Sequence, residues 1–216
     1  MTAASTGSPG TISVPGRGVV AVDPDAAVLR LGVVIVRPTA AAARSTAATT
    51  MQAVLSALAD GGVERPDLRT TLVGLDAVRD YSSESGPTIT GYQLTNTVEA
   101  TIRAIATVGE LIDAALAAGA TSMDGLSFRL SDPSAALGVA RRRAVADARQ
   151  RAATLAAEAG VDLGEVVAIV EGGAVDPGPP RPMAELRMKA MADTSTPVEA
   201  GTSEIEVSVS VTFAIA

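Results

Sequence analysis

The chain has 216 residues, 47% of them apolar, and 24 acidic against 17 basic side chains leave a net charge of -7. Cys and His are absent, which excludes thiol nucleophiles, disulfides, Cys/His zinc sites and any His-based triad. With no Trp, two Tyr and two Phe there is little to stack bases or sugars, and the acidic balance opposes phosphate-neutralising nucleic-acid binding.

Residues 1–10 are small and polar and read as a disordered N-terminal tail; residues 11–216 are expected to form a single domain. Ile12 to Val22 alternates in part and predicts a strand, and Val28 to Val36 predicts a second, buried one that Pro38 stops. Asp23-Pro24-Asp25 between them has turn chemistry, so the two strands are expected to form a hairpin. Thr39 opens an Ala-rich segment with Met51, Val54, Leu55 and Leu58 on one helical face, closed by Gly61-Gly62. Leu68 to Tyr81 and Ile89 to Ile105 predict a second hairpin around Ser82 to Pro87.

Thr107-Val108-Gly109-Glu110 has the spacing of a capping box, in which the Thr hydroxyl takes an orphan N–H and the Glu reaches back. The helix it opens ends at Gly119, and Met123 to Leu130 follows as a strand. Asp132-Pro133 then caps the longest helix, about 133–159, which Gly160 terminates. Leu163 to Val170 is a further strand. Last comes Glu204 to Ile215, where Ile205, Val207, Val209, Val211, Phe213 and Ile215 alternate with polar residues without error. The order ββ-α-ββ-α-β-α-ββ predicts an α+β fold, with an antiparallel or mixed sheet built from hairpins and three helices over one face.

The stretch from Gly172 to Gly201 is rich in Pro, Gly and Met, and predicts a flexible loop. It carries Met183, Leu186, Met188 and Met191 at helical spacing, a segment too short to persist alone in water. Two readings stay open: a disordered insertion between paired strands, which is preferred, or an assembly arm docking on a neighbouring subunit.

Candidate chemistry is sparse. Asp23 and Asp25 have too few companion oxygens for Ca²⁺ or Mg²⁺, and Asp76 with Asp80 is a weak carboxylate pair. Gly16-Arg17-Gly18 lacks the third Gly of a dinucleotide fingerprint, and there is no P-loop Lys. Arg141, Arg142 and Arg143 form a basic run that reads as a solvated or interfacial face in preference to a phosphate site. Alanines at 140, 144, 148 and 152 make a small-residue stripe suited to lying close against a sheet or helix. No cofactor and no membrane span is expected, since no segment approaches about 20 uninterrupted apolar residues.

Three stretches together resemble the SIMPL-domain family, also called the 26-kDa periplasmic immunogenic protein family. They are Ile12-Ser13-Val14-Pro15-Gly16-Arg17-Gly18 leading into Asp23-Pro24-Asp25; Gly91-Tyr92-Gln93-Leu94-Thr95-Asn96; and Ala140-Arg141-Arg142-Arg143-Ala144 through Ala152, followed by Gly160-Val161-Asp162-Leu163-Gly164-Glu165. Asn96, the single Asn of the chain, falls where the family motif has one. The resemblance implies an α+β fold with a long helix on a sheet and no established catalytic residues. It also implies a periplasmic or envelope habit, large homo-oligomers in some relatives and an association with oxidative-stress tolerance in others.

Gly91, Tyr92 and Asn96 are the candidate ligand or structural motif: Gly91 for a close backbone approach, Tyr92 for the core edge and Asn96 to bond a loop backbone, with a ligand role as the alternative. The expected function is a non-enzymatic, self-assembling homo-oligomer with Arg141, Arg142, Arg143 and the Met-bearing loop as its candidate surface. A small-molecule binder or carboxylate-based enzyme, and a monomeric protein-interaction adaptor, are the alternatives. The polar first residues lack the features of a secretory leader, so a cytoplasmic location is expected, with the periplasm or cell envelope as the alternative.

Overall fold

The computed structural model describes residues 10–82, 86–172 and 196–216. Among them are β1 (Thr11–Val22), β2 (Ala26–Arg37), α1 (Ala40–Asp60), β3 (Leu68–Asp80), β4 (Thr88–Ile102), α2 (Val108–Ala117), β5 (Ser122–Arg129), α3 (Ser134–Ala159), β6 (Leu163–Glu171) and β7 (Ser203–Ile215). The order is the expected one and the fold is α+β. All strand pairings are antiparallel, in two sheets ordered β1-β7-β6 and β3-β4-β2-β5.

The sheets belong to two compact units. One takes residues 10–23, Asp132 through β6, and Gly201–Ala216; the other takes Pro24–Ser131 and residues 196–200, counted over the described residues. This division corrects the first expected hairpin. β1 pairs along its whole length with β7, whereas β2 pairs with β4 and β5, so Asp23-Pro24-Asp25 carries the chain from one unit into the next. Turn chemistry reverses the chain locally, but it cannot choose the ladder partner. β1 has its small and apolar residues in register with the alternation of β7, and that long-range match wins.

In the first unit β7 is the central strand, which is why its alternation is so regular. Ile205, Val207, Val209, Val211 and Phe213 are buried on one face under α3, with Ile215 half-buried at the end. The helix meets the sheet through Ala136, Ala140, Ala144, Ala148, Ala152 and Ala156, all buried, so the small-residue stripe does lie against a sheet. The partner of that stripe is β1. A Cβ on Gly16 would overlap the Ala144 carbonyl oxygen, and one on Gly18 would overlap that of Ala140. Alanine on the helix and glycine on the strand let two backbones touch, the arrangement in which Cα–H groups lie against carbonyls.

In the second unit α1 packs across β2 and β4, with α2 beside it. Ala43, Ala47, Met51, Val54 and Leu58 of α1 are buried against Leu29, Leu31 and Val33 of β2 and Leu94, Val98 and Ala100 of β4. The expected hairpin of β3 and β4 is present. From the Pro/Gly/Met-rich stretch, Thr196 donates from both backbone N–H and hydroxyl to Asp113 of α2, at 3.1 and 2.6 Å, and Val198 packs on this core.

The helix ends behave unequally. Thr39 caps α1 by accepting from the Ala42 N–H at 3.2 Å, Asp132 accepts from the Ser134 N–H at 2.9 Å, and Gly160 ends α3 at φ +72°. The capping box is not formed. Thr107 closes a 3₁₀ turn (Ile105–Thr107) and its hydroxyl donates back to the Ala104 carbonyl at 2.9 Å, which turns it away from the helix N–H groups.

Candidate functional site

The Gly91-Tyr92-Asn96 motif opens the long strand β4, in the middle of the four-stranded sheet. Gly91 is buried, and a Cβ there would sit 3.0 Å from the Arg37 carbonyl oxygen, so the expected close backbone approach is real. Tyr92 is half-buried against the core, opposite Arg37 on β2 and Ala77 on β3. Asn96 faces the helices between Val33 and Val73, its register neighbours. Its Oδ1 is buried without a hydrogen-bond partner among the described residues, where a bond to a loop backbone was expected. The reason is placement: mid-strand, flanked by Val on both sides, the amide meets apolar side chains. Such an orphan acceptor costs about 1–3 kcal/mol.

The structure divides the basic run of α3. Arg141 forms an ion pair with Glu171 of β6 at 3.0 Å, and Arg143 donates to the Val19 carbonyl at 2.5 Å. Arg142 makes no ion pair among the described residues. Successive residues on a helix point about 100° apart, so three consecutive arginines do not converge on one anion. Met183, Leu186, Met188 and Met191 lie outside the described residues.

Several charge contacts were not legible in advance. Arg17 forks onto Glu206 at 2.6 and 2.7 Å, while its backbone N–H donates to Asp147 at 2.8 Å. Asp147 also pairs with Arg151, four residues further along α3, at 3.0 Å. Both carboxyls are held below their ordinary range, Asp147 chiefly by the Arg17 N–H and Glu206 by the Arg17 guanidinium. The Gly16-Arg17-Gly18 stretch therefore works as packing surface and charge lock. Elsewhere Glu99 lies between Arg30 and Arg69 at 2.9 Å each, and Arg103 forks onto Asp67 at 2.8 and 3.0 Å.

Among the described residues the carboxylates do not gather. Asp80 accepts from the Ser82 N–H at 2.8 Å in the β3–β4 connection, and Asp25 accepts from the Ser131 N–H at 2.6 Å. No group of three acids placed to hold a metal ion occurs among the described residues. The second unit has a cleft of about 340 Å³ lined by Asp60, Gly61, Thr107, Glu110 and Leu111, and a neighbouring one of about 230 Å³ bordered by Glu64, Asp67 and Arg103. Neither includes Tyr92 or Asn96.

Among the described residues, exposed apolar side chains gather on two sheet edges. Among the described residues β6 pairs only with β7, and it exposes Val167, Ile169 and Val170 at 60, 52 and 64%. Likewise among the described residues β3 pairs only with β4, and it exposes Leu72, Val73 and Leu75 at 51, 64 and 48%. The sequence signal for these was available, since both runs are apolar on both faces and neither contains Pro.

Two antiparallel sheets, each packed on helices, with charges paired within the chain, define an α+β class of protein. The chain belongs to the SIMPL family, described as proteins of unknown function (DUF541), whose family model matches residues 12–213. It is 36% identical over 220 residues to the 26 kDa periplasmic immunogenic protein of Brucella melitensis biotype 1, covering 97% of this chain and 86% of that protein. The same figures hold for its namesake in Brucella abortus strain S19. A third relative, the uncharacterized protein YggE of Escherichia coli K12, is 30% identical over 134 residues, covering 62% of this chain and 54% of that protein. The expected cytoplasmic location is overturned by these relatives, two of which are named periplasmic. The polar N-terminal composition that suggested it carries no weight against an alignment over nearly the whole chain. No described helix is long and apolar enough to cross a membrane.

Proposed function

We propose that this chain is a non-enzymatic, self-assembling subunit that works in the periplasm as an envelope scaffold. The observation that supports assembly is the pair of apolar edge strands, β3 and β6, each with one side of its backbone ladder unpaired among the described residues. An unpaired edge with exposed Val, Leu and Ile is a template for another strand, and soluble proteins ordinarily blunt it. The relatives' names support the location. The absence of any nucleophile–base pair built on Cys or His supports the non-enzymatic reading.

Light scattering on the purified chain tests the reading: a particle of several times 21.6 kDa at micromolar concentration is expected. A monomer sinks it and leaves the adaptor alternative. A contribution to stress tolerance belongs to the same reading, and is checked by the survival of a deletion strain under peroxide.

A further inference from the structure

Among the described residues β1 pairs with β7 alone, yet the middle of its outer edge is not bare. The Ile215 N–H donates to the Gly10 carbonyl at 3.0 Å, which fixes the phase of this antiparallel ladder. Even-numbered residues of β1 turn their backbone groups to β7, and odd-numbered ones turn theirs outward. Over three successive outward positions, each residue lacks one of the two groups that a further strand would pair with. Pro15 has no N–H. The Arg17 N–H is taken by the Asp147 carboxylate at 2.8 Å, and the Val19 carbonyl by the Arg143 guanidinium at 2.5 Å.

Both partners come from α3, four residues apart, and they meet groups two residues apart on β1. The spacings match, since four helical residues rise about 6 Å and two strand residues about 6.7 Å. Gly16 lies against Ala144 and Gly18 against Ala140, so helix and strand run in opposite directions. That register brings residue 147 to Arg17 and residue 143 to Val19. We propose that Arg143 and Asp147 form a clasp that occupies the β1 edge in place of a strand and withholds it from any extended polypeptide. An incoming strand would first have to displace two hydrogen bonds to charged groups, each about twice as strong as a neutral one. Arg151, paired with Asp147 at 3.0 Å, holds the carboxylate in place and is a positioning residue. The arginine run thereby acquires separate tasks: Arg141 ties α3 to Glu171 of β6, while Arg143 covers β1.

Amide hydrogen exchange, read residue by residue on the full chain, tests the clasp directly. The outward Arg17 N–H is expected to exchange as slowly as the Gly16 N–H, which faces β7. Asp147→Ala should speed exchange at Arg17 about tenfold or more and leave Gly16 unchanged. Asp147→Asn keeps an acceptor oxygen and should change it less. A second readout reports the edge itself. A labelled peptide with the sequence Glu204–Ile215, whose alternation suits a strand beside β1, is titrated by fluorescence anisotropy. The Arg143→Ala/Asp147→Ala double variant should bind it about tenfold more tightly than the wild type. Phe213→Ala, weakened in the core but with its clasp intact, should gain no such binding. Equal binding by wild type and double variant overturns the proposal, and so does an equal gain by Phe213→Ala. If the double variant does not fold, each single alanine variant carries the same comparison. An Arg17 N–H that exchanges at the free-peptide rate in the wild type is fatal whatever the variants do.

Discussion

Gly18 shows how a missing side chain shapes the first unit, since the Ala140 carbonyl of α3 occupies the place its Cβ would take. Gly18→Ala must push helix and strand apart, and overpacking of this kind costs about 1–3 kcal/mol. Gly138, inside the same helix, faces only the end of the Arg142 side chain at 3.7 Å. Gly138→Ala is expected to stabilise by about 0.5–1 kcal/mol, because it removes backbone freedom from the unfolded chain and obstructs nothing. Urea midpoints for the two alanines should move in opposite directions; a shared direction would show that α3 does not lie on β1 in this way. Asn96 gives the converse case. Replacing the orphan amide by Val, a strand former, is expected to raise the urea midpoint, and a fall of more than about 1 kcal/mol would mean that Oδ1 has a partner worth keeping.

At the scale of elements, β7 explains why one strand reads so much more clearly than the rest. It is paired on both sides and buried on one face, so each alternate position must be apolar. Phe213, fully buried, is its largest side chain. Phe213→Ala is expected to cost about 3–5 kcal/mol, the usual range for an aromatic removed from a core. Deleting residues 203–216 removes the strand that both β1 and β6 pair with, and a soluble, cooperatively melting truncation would refute that dependence. The edge strands read less clearly, because their apolar residues fall on both faces and the described helices leave many of them exposed. That pattern looks like a fully buried strand in sequence, and it becomes an exposed edge only once the partners are counted.

For the whole molecule, acid is the condition that should undo it. Asp147, Glu206 and Glu99 are held below their ordinary values of 3.8 for Asp and 4.5 for Glu, by the Arg17 N–H, the Arg17 guanidinium and Arg30 respectively. With a lowered folded pKa the native state binds fewer protons. Its contribution is therefore present above the unfolded value and is lost as pH falls through the folded one. Stability should be level near neutrality and decline below about pH 4.5. The sequence pI of about 4.6 adds loss of net charge, and so precipitation, in the same window. Asp147→Asn should lower the neutral-pH melting temperature and flatten the acid limb; a variant with the wild-type pH profile would show that the Arg17–Asp147–Arg151 contacts contribute nothing.

The order of elements, the stripe of alanines, the perfect alternation of β7 and the terminators at Gly61-Gly62 and Gly160 were all set by the sequence, because each depends on neighbours a few residues away. Family membership was legible too, from Gly16-Arg17-Gly18, Tyr92 and Asn96 in order. Tertiary structure decided the rest. It assigned β1 to β7 and not to β2, gave the two glycines their helix, left Asn96 Oδ1 without a partner among the described residues, and turned Thr107 back onto Ala104. It also made edges of β3 and β6. These outcomes depend on which distant backbone fills the space beside a residue, and a ladder joining Thr11 to Ala214 has no local signature.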